Sequence, residues 1–185
     1  NTYVKITDYK SGNKSFSFQD IYYGLQLQLL IYIDALISSG VLKNENILPA
    51  GIFYFRIKDP VINIQGSYSE EYVQELITKE LKLSGLVLDQ KEILKALDES
   101  LDSGVTSKTL PVAINKDGTL AKSSVAADRK TFGALIDYSL KKAGDTGRKI
   151  QDGYILPSPY KQGTKMPCDY CPYGSICGFA ASGNK

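Results

Sequence analysis

Two short groupings in this sequence have the residue types and spacing to do chemistry: Asp8-Tyr9-Lys10, and Gln28-Leu29-Leu30-Ile31-Tyr32 twenty residues later. Residues Tyr3 to Lys10 mix β-branched, aromatic and polar types, and as a strand they put Val4, Ile6, Asp8 and Lys10 on one face. That face runs from apolar to ionic. An acid and a base two apart at the end of a buried strand are costly to hold there unless each has a charged partner such as a metal ion or a phosphate. The pattern suits phosphodiester hydrolysis, in which a carboxylate holds a divalent cation that activates water while an ammonium offsets charge developing on the phosphorus oxygens. Taken alone, an Asp-x-Lys triplet is common, and a solvated strand end is the plain alternative.

The element that must present the second grouping is a helix over Phe18 to Ser39. Ser17 caps it, Asp20 stands at its third position, and Gly40 supplies a left-handed stop. Ile21, Leu25, Gln28, Leu29, Tyr32 and Leu36 fall on one stripe at spacings of three and four. Gln28 is the odd member. A glutamine on an apolar stripe needs a fixed hydrogen-bond partner, and Tyr32 lies one turn further on the same face. The alternative is that Gln28 lies at the edge of the stripe and Tyr32 is ordinary core.

Strand and helix together resemble the second half of a RecB-type nuclease of the PD-(D/E)xK superfamily: Asp8-x-Lys10 matches its acid-x-Lys element, and Gln28-x-x-x-Tyr32 the QxxxY motif that follows. The resemblance implies an α/β, restriction-endonuclease-like core, a central mixed sheet flanked by helices. It also implies that Asp8 binds Mg2+ or Mn2+, that the carbonyl of Tyr9 adds a ligand, that Lys10 is catalytic, and that Gln28 and Tyr32 position the bound DNA strand.

Composition narrows the alternatives. At 185 residues, 43% hydrophobic and 23% charged, the chain is ordinary for one globular domain. It shows no long uncharged apolar run and no signal peptide, which reads as cytoplasmic with no membrane partner. Histidine is absent, which excludes Ser-His-Asp and Cys-His nucleophile systems and His-based zinc sites within these residues. The single methionine is Met166, and the first residues already read as strand interior. The chain is therefore expected to be cut from a larger protein; the resemblance implies a further metal-binding acid upstream of the acid-x-Lys strand, so the fragment is expected to be inactive by itself. Net charge is +2, but residues 67 to 104 hold four lysines against nine acids, leaving 18 basic and 11 acidic residues elsewhere. That asymmetry suits a nucleic-acid-facing body with an acidic excursion turned away from phosphate, or simply a solvated helical face.

Along the chain, Lys43 to Asn46 read as connectors and Gly51 to Ile57 as a strand returning beside Tyr3 to Lys10. Ser69 to Lys82 and Asp89 to Leu101 read as a capped helical pair. Thr109 to Asn115 and Thr119 to Lys122 flank the turn Lys116-Asp117-Gly118 as a hairpin. A helix runs from Ser124 or Asp128 to about Ala143, a short helical turn covers Asp145 to Gln151, and Tyr154 to Tyr160 form an edge or irregular strand. Three segments follow: 1–66, the second half of a nuclease core; 67–104, an acidic helical insertion; and 105–185, the remainder with the cysteines.

All three cysteines fall within ten residues, as Cys168-x2-Cys171-x5-Cys177. Thiolates this close repel unless a cation or cluster unites them. Zinc and iron–sulfur clusters both want four ligands, so one is missing on either reading. Here the resemblance sharpens to the C-terminal nuclease domain of AddB-type subunits of bacterial ATP-dependent helicase/deoxyribonucleases. It implies that Cys168, Cys171 and Cys177 join one upstream cysteine to hold a 4Fe-4S cluster, and that the partners are DNA and an AddA-like helicase-nuclease subunit. The implied activity is 5′ to 3′ trimming of DNA ends for recombinational repair. The competing expectation is a catalytically silent, cluster-stapled DNA-binding scaffold.

Overall fold

The computed structural model describes residues 1–41, 46–64, 66–164 and 166–179. The chain divides into two compact units, Asn1–Ala143 and Gly144–Lys185. The first is built on a four-stranded mixed sheet with order β1-β2-β3-β4, comprising β1 (Thr2–Lys10), β2 (Ile47–Arg56), β3 (Ser84–Leu88) and β4 (Ala126–Ala127). β1 and β2 are parallel, β2 and β3 antiparallel, and β3 and β4 parallel. This is the expected α/β architecture.

β2 is apolar almost throughout because both its faces are covered. Ile52 and Tyr54 point into one core with Leu86 and Leu88, closed by Ile21, Leu29, Leu30, Ile33, Phe132 and Ile136 from the helices. Phe53 and Val87 point the other way, into a second core with Leu94, Leu101, Leu110 and Val112. Val4 and Ile6 pack against the first core, so the face of β1 that carries Asp8 and Lys10 is the helix-covered one. At Gly85 β3 runs so close to β2 that a Cβ would fall 2.0 Å from the Ile52 carbonyl oxygen, which leaves room only for glycine.

The expected single helix from Phe18 to Ser39 is two: α1 (Phe18–Tyr23) and α2 (Gln28–Ser38). Gly24 adopts a left-handed conformation (φ 85°), and its N–H caps the carbonyls of Asp20 and Ile21. The break re-phases the helical stripe. Leu29, Leu30 and Ile33 are buried while Leu25 and Tyr32 are exposed, which puts Gln28 and Tyr32 at the edge of the buried face. Gln26 fixes the corner: its carbonyl accepts from the Ser17 N–H, and its amide donates to the Ser15 carbonyl and to Asp20 Oδ2 at 2.7 Å. α2 ends at Ser38, with the left-handed Gly40 just beyond. Of the expected connector Lys43 to Asn46, all but Asn46 lies outside the described residues.

The segment 67–104 is not purely helical. α3 (Glu70–Glu80) and α4 (Lys91–Leu97) flank β3, which lies inside the sheet. α3 buries no residue, and α4 buries Ile93 and Leu94. The expected hairpin around Lys116 to Gly118 reduces to single bridges, Thr106 to Ala113 and Ile114 to Leu120. Side chains close the turn instead: Asp117 Oδ1 accepts from both the N–H and the hydroxyl of Thr119. Asp128 then caps α5 through the Thr131 N–H. α5 runs over Arg129–Gln151 and absorbs the turn expected at Asp145 to Gln151. In the second unit, Tyr154 to Tyr160 form no strand. Pro157 and Pro159 lack ladder donors, and the run from Tyr154 to Ser158 is exposed. A 3-10 turn, η1 (Pro167–Tyr170), and a short helix, α6 (Gly174–Cys177), carry the cysteines.

Candidate active site

The last rungs of β1 bring the predicted residues together. Lys10 Nζ lies 2.7 Å from Asp8 Oδ2 and donates to Gln28 Oε1 at 3.2 Å, while Gln28 Nε2 donates to the Tyr32 hydroxyl at 2.9 Å. Lys10, Gln28 and Tyr32 thus form a hydrogen-bonded relay that starts at the Asp8 ion pair. The break at Gly24 makes it possible, because it starts α2 at Gln28 and turns that side chain toward the strand end. Tyr9, between Asp8 and Lys10, faces the other way: it is 65% exposed and meets Phe55 edge-on, with ring centroids 5.8 Å apart.

Asp8 Oδ2 is buried and makes no hydrogen bond despite the nearby ammonium. The contact is ionic without hydrogen-bond alignment, so this oxygen keeps lone-pair capacity that burial makes costly to waste. A hard oxygen donor of this kind fits Mg2+ or Mn2+ at one coordination position. Among the described residues, no three or more Asp, Glu, Cys or His side chains gather to hold an ion. Asp8 therefore fits part of a metal's ligand set and not the whole.

β2 adds groups that the sequence reading missed. In the parallel register Asp8 stands beside Tyr54 and Lys10 beside Arg56. Tyr54 is only 4% exposed, and Lys10 Nζ lies 5.8 Å from its ring centre. Burial pushes its phenol pKa up, and the charges of Asp8 and Asp20 push it further, so it remains a proton donor. Arg56 Nε is buried without a hydrogen-bond partner. The signal was the alternation in Phe53-Tyr54-Phe55-Arg56: two polar-tipped side chains two apart, with the same offset as Asp8 and Lys10. Only the register shows that the two pairs are neighbours.

The cysteines are described by themselves. Cys168 is half-buried, Cys171 and Cys177 are exposed, and all three are free thiols. Their donor chemistry suits a soft ion or an iron–sulfur cluster. They form no gathered ligand group among the described residues. Asp169, between the first two cysteines, accepts from the Met166 N–H through Oδ2.

Residues 1–178 match the PD-(D/E)XK nuclease superfamily. The whole chain is also similar to a protein of Thermoanaerobacter sp. (strain X514), at 43% identity over 186 residues, covering 16% of that relative. Relatives in Clostridioides difficile (strain 630) and Caldanaerobacter subterraneus subsp. tengcongensis are 42% and 40% identical over 181 and 178 residues; the matches cover 97% and 96% of this chain and 16% and 15% of those relatives. All three are named as the B-type subunit of an ATP-dependent helicase/deoxyribonuclease. The chain spans about one sixth of their length.

Proposed function

The chain belongs to the PD-(D/E)XK nuclease superfamily, and we propose that it is the DNA-cleaving domain of the B-type subunit of a helicase/deoxyribonuclease, trimming one strand of a DNA end, with 5′ to 3′ polarity, for recombinational repair. The observation that carries this reading is the connected set Asp8, Lys10, Gln28 and Tyr32 at the end of β1. Asp8 and the Tyr9 carbonyl would hold Mg2+ or Mn2+, which when bound polarises the phosphate and activates water. Lys10 holds a positive charge where the phosphorus oxygens become more negative, and part of its effect comes from being held there in advance. Gln28 fixes the direction of the ammonium by accepting one of its protons, and Tyr32 fixes the amide. Their exposed edge lies where a strand can run past.

Within the same reading, Cys168, Cys171 and Cys177 would supply three thiolates to a 4Fe-4S cluster. A four-thiolate site needs one more than the three cysteines of this chain. The partner would be an AddA-like motor subunit, and the setting the bacterial cytoplasm, where DNA ends arise. A second reading, a catalytically silent scaffold, is favoured by one observation: among the described residues Asp8 belongs to no group of three or more side chains that could hold a metal ion.

One experiment separates the two. The full-length protein, with its partner, ATP and Mg2+, is given linear DNA, and strand cleavage and unwinding are followed together for wild type and Lys10→Ala. Loss of cleavage of one strand, by about a hundredfold or more, with unwinding intact is expected and identifies the strand polarity. Unchanged cleavage leaves the scaffold as the function.

A further inference from the structure

β2 carries a second pair of side chains on the face that holds Asp8 and Lys10. Residues in register on neighbouring parallel strands share a face at a spacing of about 4.8 Å, so Arg56 lies beside Lys10 as Tyr54 lies beside Asp8. Two cations on adjacent rungs repel, and each needs an anion. Lys10 has Asp8 at 2.7 Å. Arg56 is served poorly: Glu80, at the last position of α3, reaches only to 3.6 Å of Nη1, and its side chain is 53% exposed. That separation is too long for a hydrogen bond. The Nε of the same guanidinium is buried with no partner.

Guanidinium nitrogens are donors only, and holding one unpaired out of water is destabilising. A purely structural ion pair would close on its carboxylate and use its Nε. The planar guanidinium, 26% exposed and without a hydrogen bond at Nε, matches an oxyanion that presents two oxygens, as phosphate does. We infer that Arg56 grips a backbone phosphate of the DNA strand lying in the site, and that Glu80 is the counter-ion it leaves when the strand arrives. This inference rests on the nuclease reading, and it adds the residue that holds the strand in place beside the reacting bond. Glu80 then acts as a competitor for the guanidinium. Removing Arg56 and removing Glu80 therefore have opposite effects on DNA, whereas loss of a structural salt bridge would be the same from either end.

The test uses the full-length protein with its partner subunit and Mg2+, a single-stranded oligonucleotide, and the variants Arg56→Gln, Arg56→Lys, Glu80→Gln and Asp8→Ala. Arg56→Gln is expected to raise KM about tenfold with kcat within about twofold, and to reduce the salt slope of binding by about one. Arg56→Lys should recover part of the loss, and Glu80→Gln should lower KM. If Arg56→Gln and Glu80→Gln both leave KM unchanged, or both raise it alike, the inference is overturned. If Arg56→Gln fails to fold, Glu80→Gln decides: an unchanged or raised KM overturns the inference. Asp8→Ala isolates the underlying reading. If it cleaves as well as wild type, the nuclease assignment fails, and the Arg56 contact is judged by oligonucleotide Kd, where unchanged values for Arg56→Gln refute it.

Discussion

Lys10 is held by three different forces. Asp8 neutralises it at 2.7 Å, Gln28 orients it at 3.2 Å, and the Tyr54 ring lies 5.8 Å away. Only the first balances its charge at the strand end. The second decides where its remaining protons point, and misplacing a catalytic group by about 1 Å can cost about a hundredfold in rate. A graded series follows. Gln28→Ala, which frees the ammonium, should lower kcat by about tenfold to a hundredfold, whereas Tyr32→Phe, which loosens only the glutamine, should lower it by about twofold to fivefold. Tyr32 is 48% exposed and its hydroxyl accepts from Gln28, so Tyr32→Phe should leave unfolding free energy within about 0.5 kcal/mol of wild type. Single-turnover cleavage with parallel denaturant melts measures both. Equal rate losses for the two variants would mean that Gln28 does not act through Lys10.

At the scale of elements, the loop after α4 is tied by one carboxylate. Asp98 accepts from the N–H and hydroxyl of Ser100 through Oδ1, and from the hydroxyls of Ser107 and Thr109 through Oδ2. Ser107 is itself buried and passes the tie on to the Leu110 N–H at 2.7 Å. Burial alone would raise the Asp98 pKa, but the hydrogen bonds from Ser100, Ser107 and Thr109 outweigh it and leave the pKa lowered. A carboxyl whose folded pKa is depressed stabilises the fold above its unfolded pKa, about 3.9, and loses that contribution as pH falls through the folded value. Asp98→Ala should therefore cost about 2–3 kcal/mol at neutral pH, and the deficit relative to wild type should shrink below about pH 4. Urea melts across that range measure it. A deficit independent of pH would mean that packing, and not the charge, holds the loop.

Much of this scale was legible in the sequence. β1 and β2 announce themselves by β-branched and aromatic runs, and α5 by a long apolar period. The acid-x-Lys strand and the QxxxY helix needed no structure to be paired. The break at Gly24 was hidden because Ile21, Leu25, Gln28 and Leu29 keep helical spacing straight across it. β3 was hidden because Ser84 to Leu88 is a five-residue run between two capped helical patterns, and β4 because two alanines carry no pattern at all. Gln26 was passed over for Gln28, although it is the buried one of the two. Tyr54 and Arg56 read as strand composition, since a partnership between strands depends on a register that local pattern does not specify.

Taken as a molecule, the chain joins two units held by different means. Asn1–Ala143 contains two hydrophobic cores packed on opposite faces of one sheet. In Gly144–Lys185, η1 and α6 bury no residue, and Ile155, Leu156, Tyr170, Tyr173 and Ile176 are exposed. Segments with so little buried apolar surface open at low free-energy cost. Three free thiols sit in the same stretch, and a cluster bound to them would supply by coordination the restraint that packing does not. On the proposed iron–sulfur reading, full-length protein purified anaerobically should show the visible absorption of a cluster, and each of Cys168→Ser, Cys171→Ser and Cys177→Ser should lose it. The same variants should speed proteolysis and amide exchange across residues 154–179 while β1, β2 and β3 keep their protection, because the hydrophobic cores of the first unit do not depend on the thiols. If absorption and protection persist in all three variants, the cysteines hold no cluster, and the segment must be ordered by a surface from outside these residues.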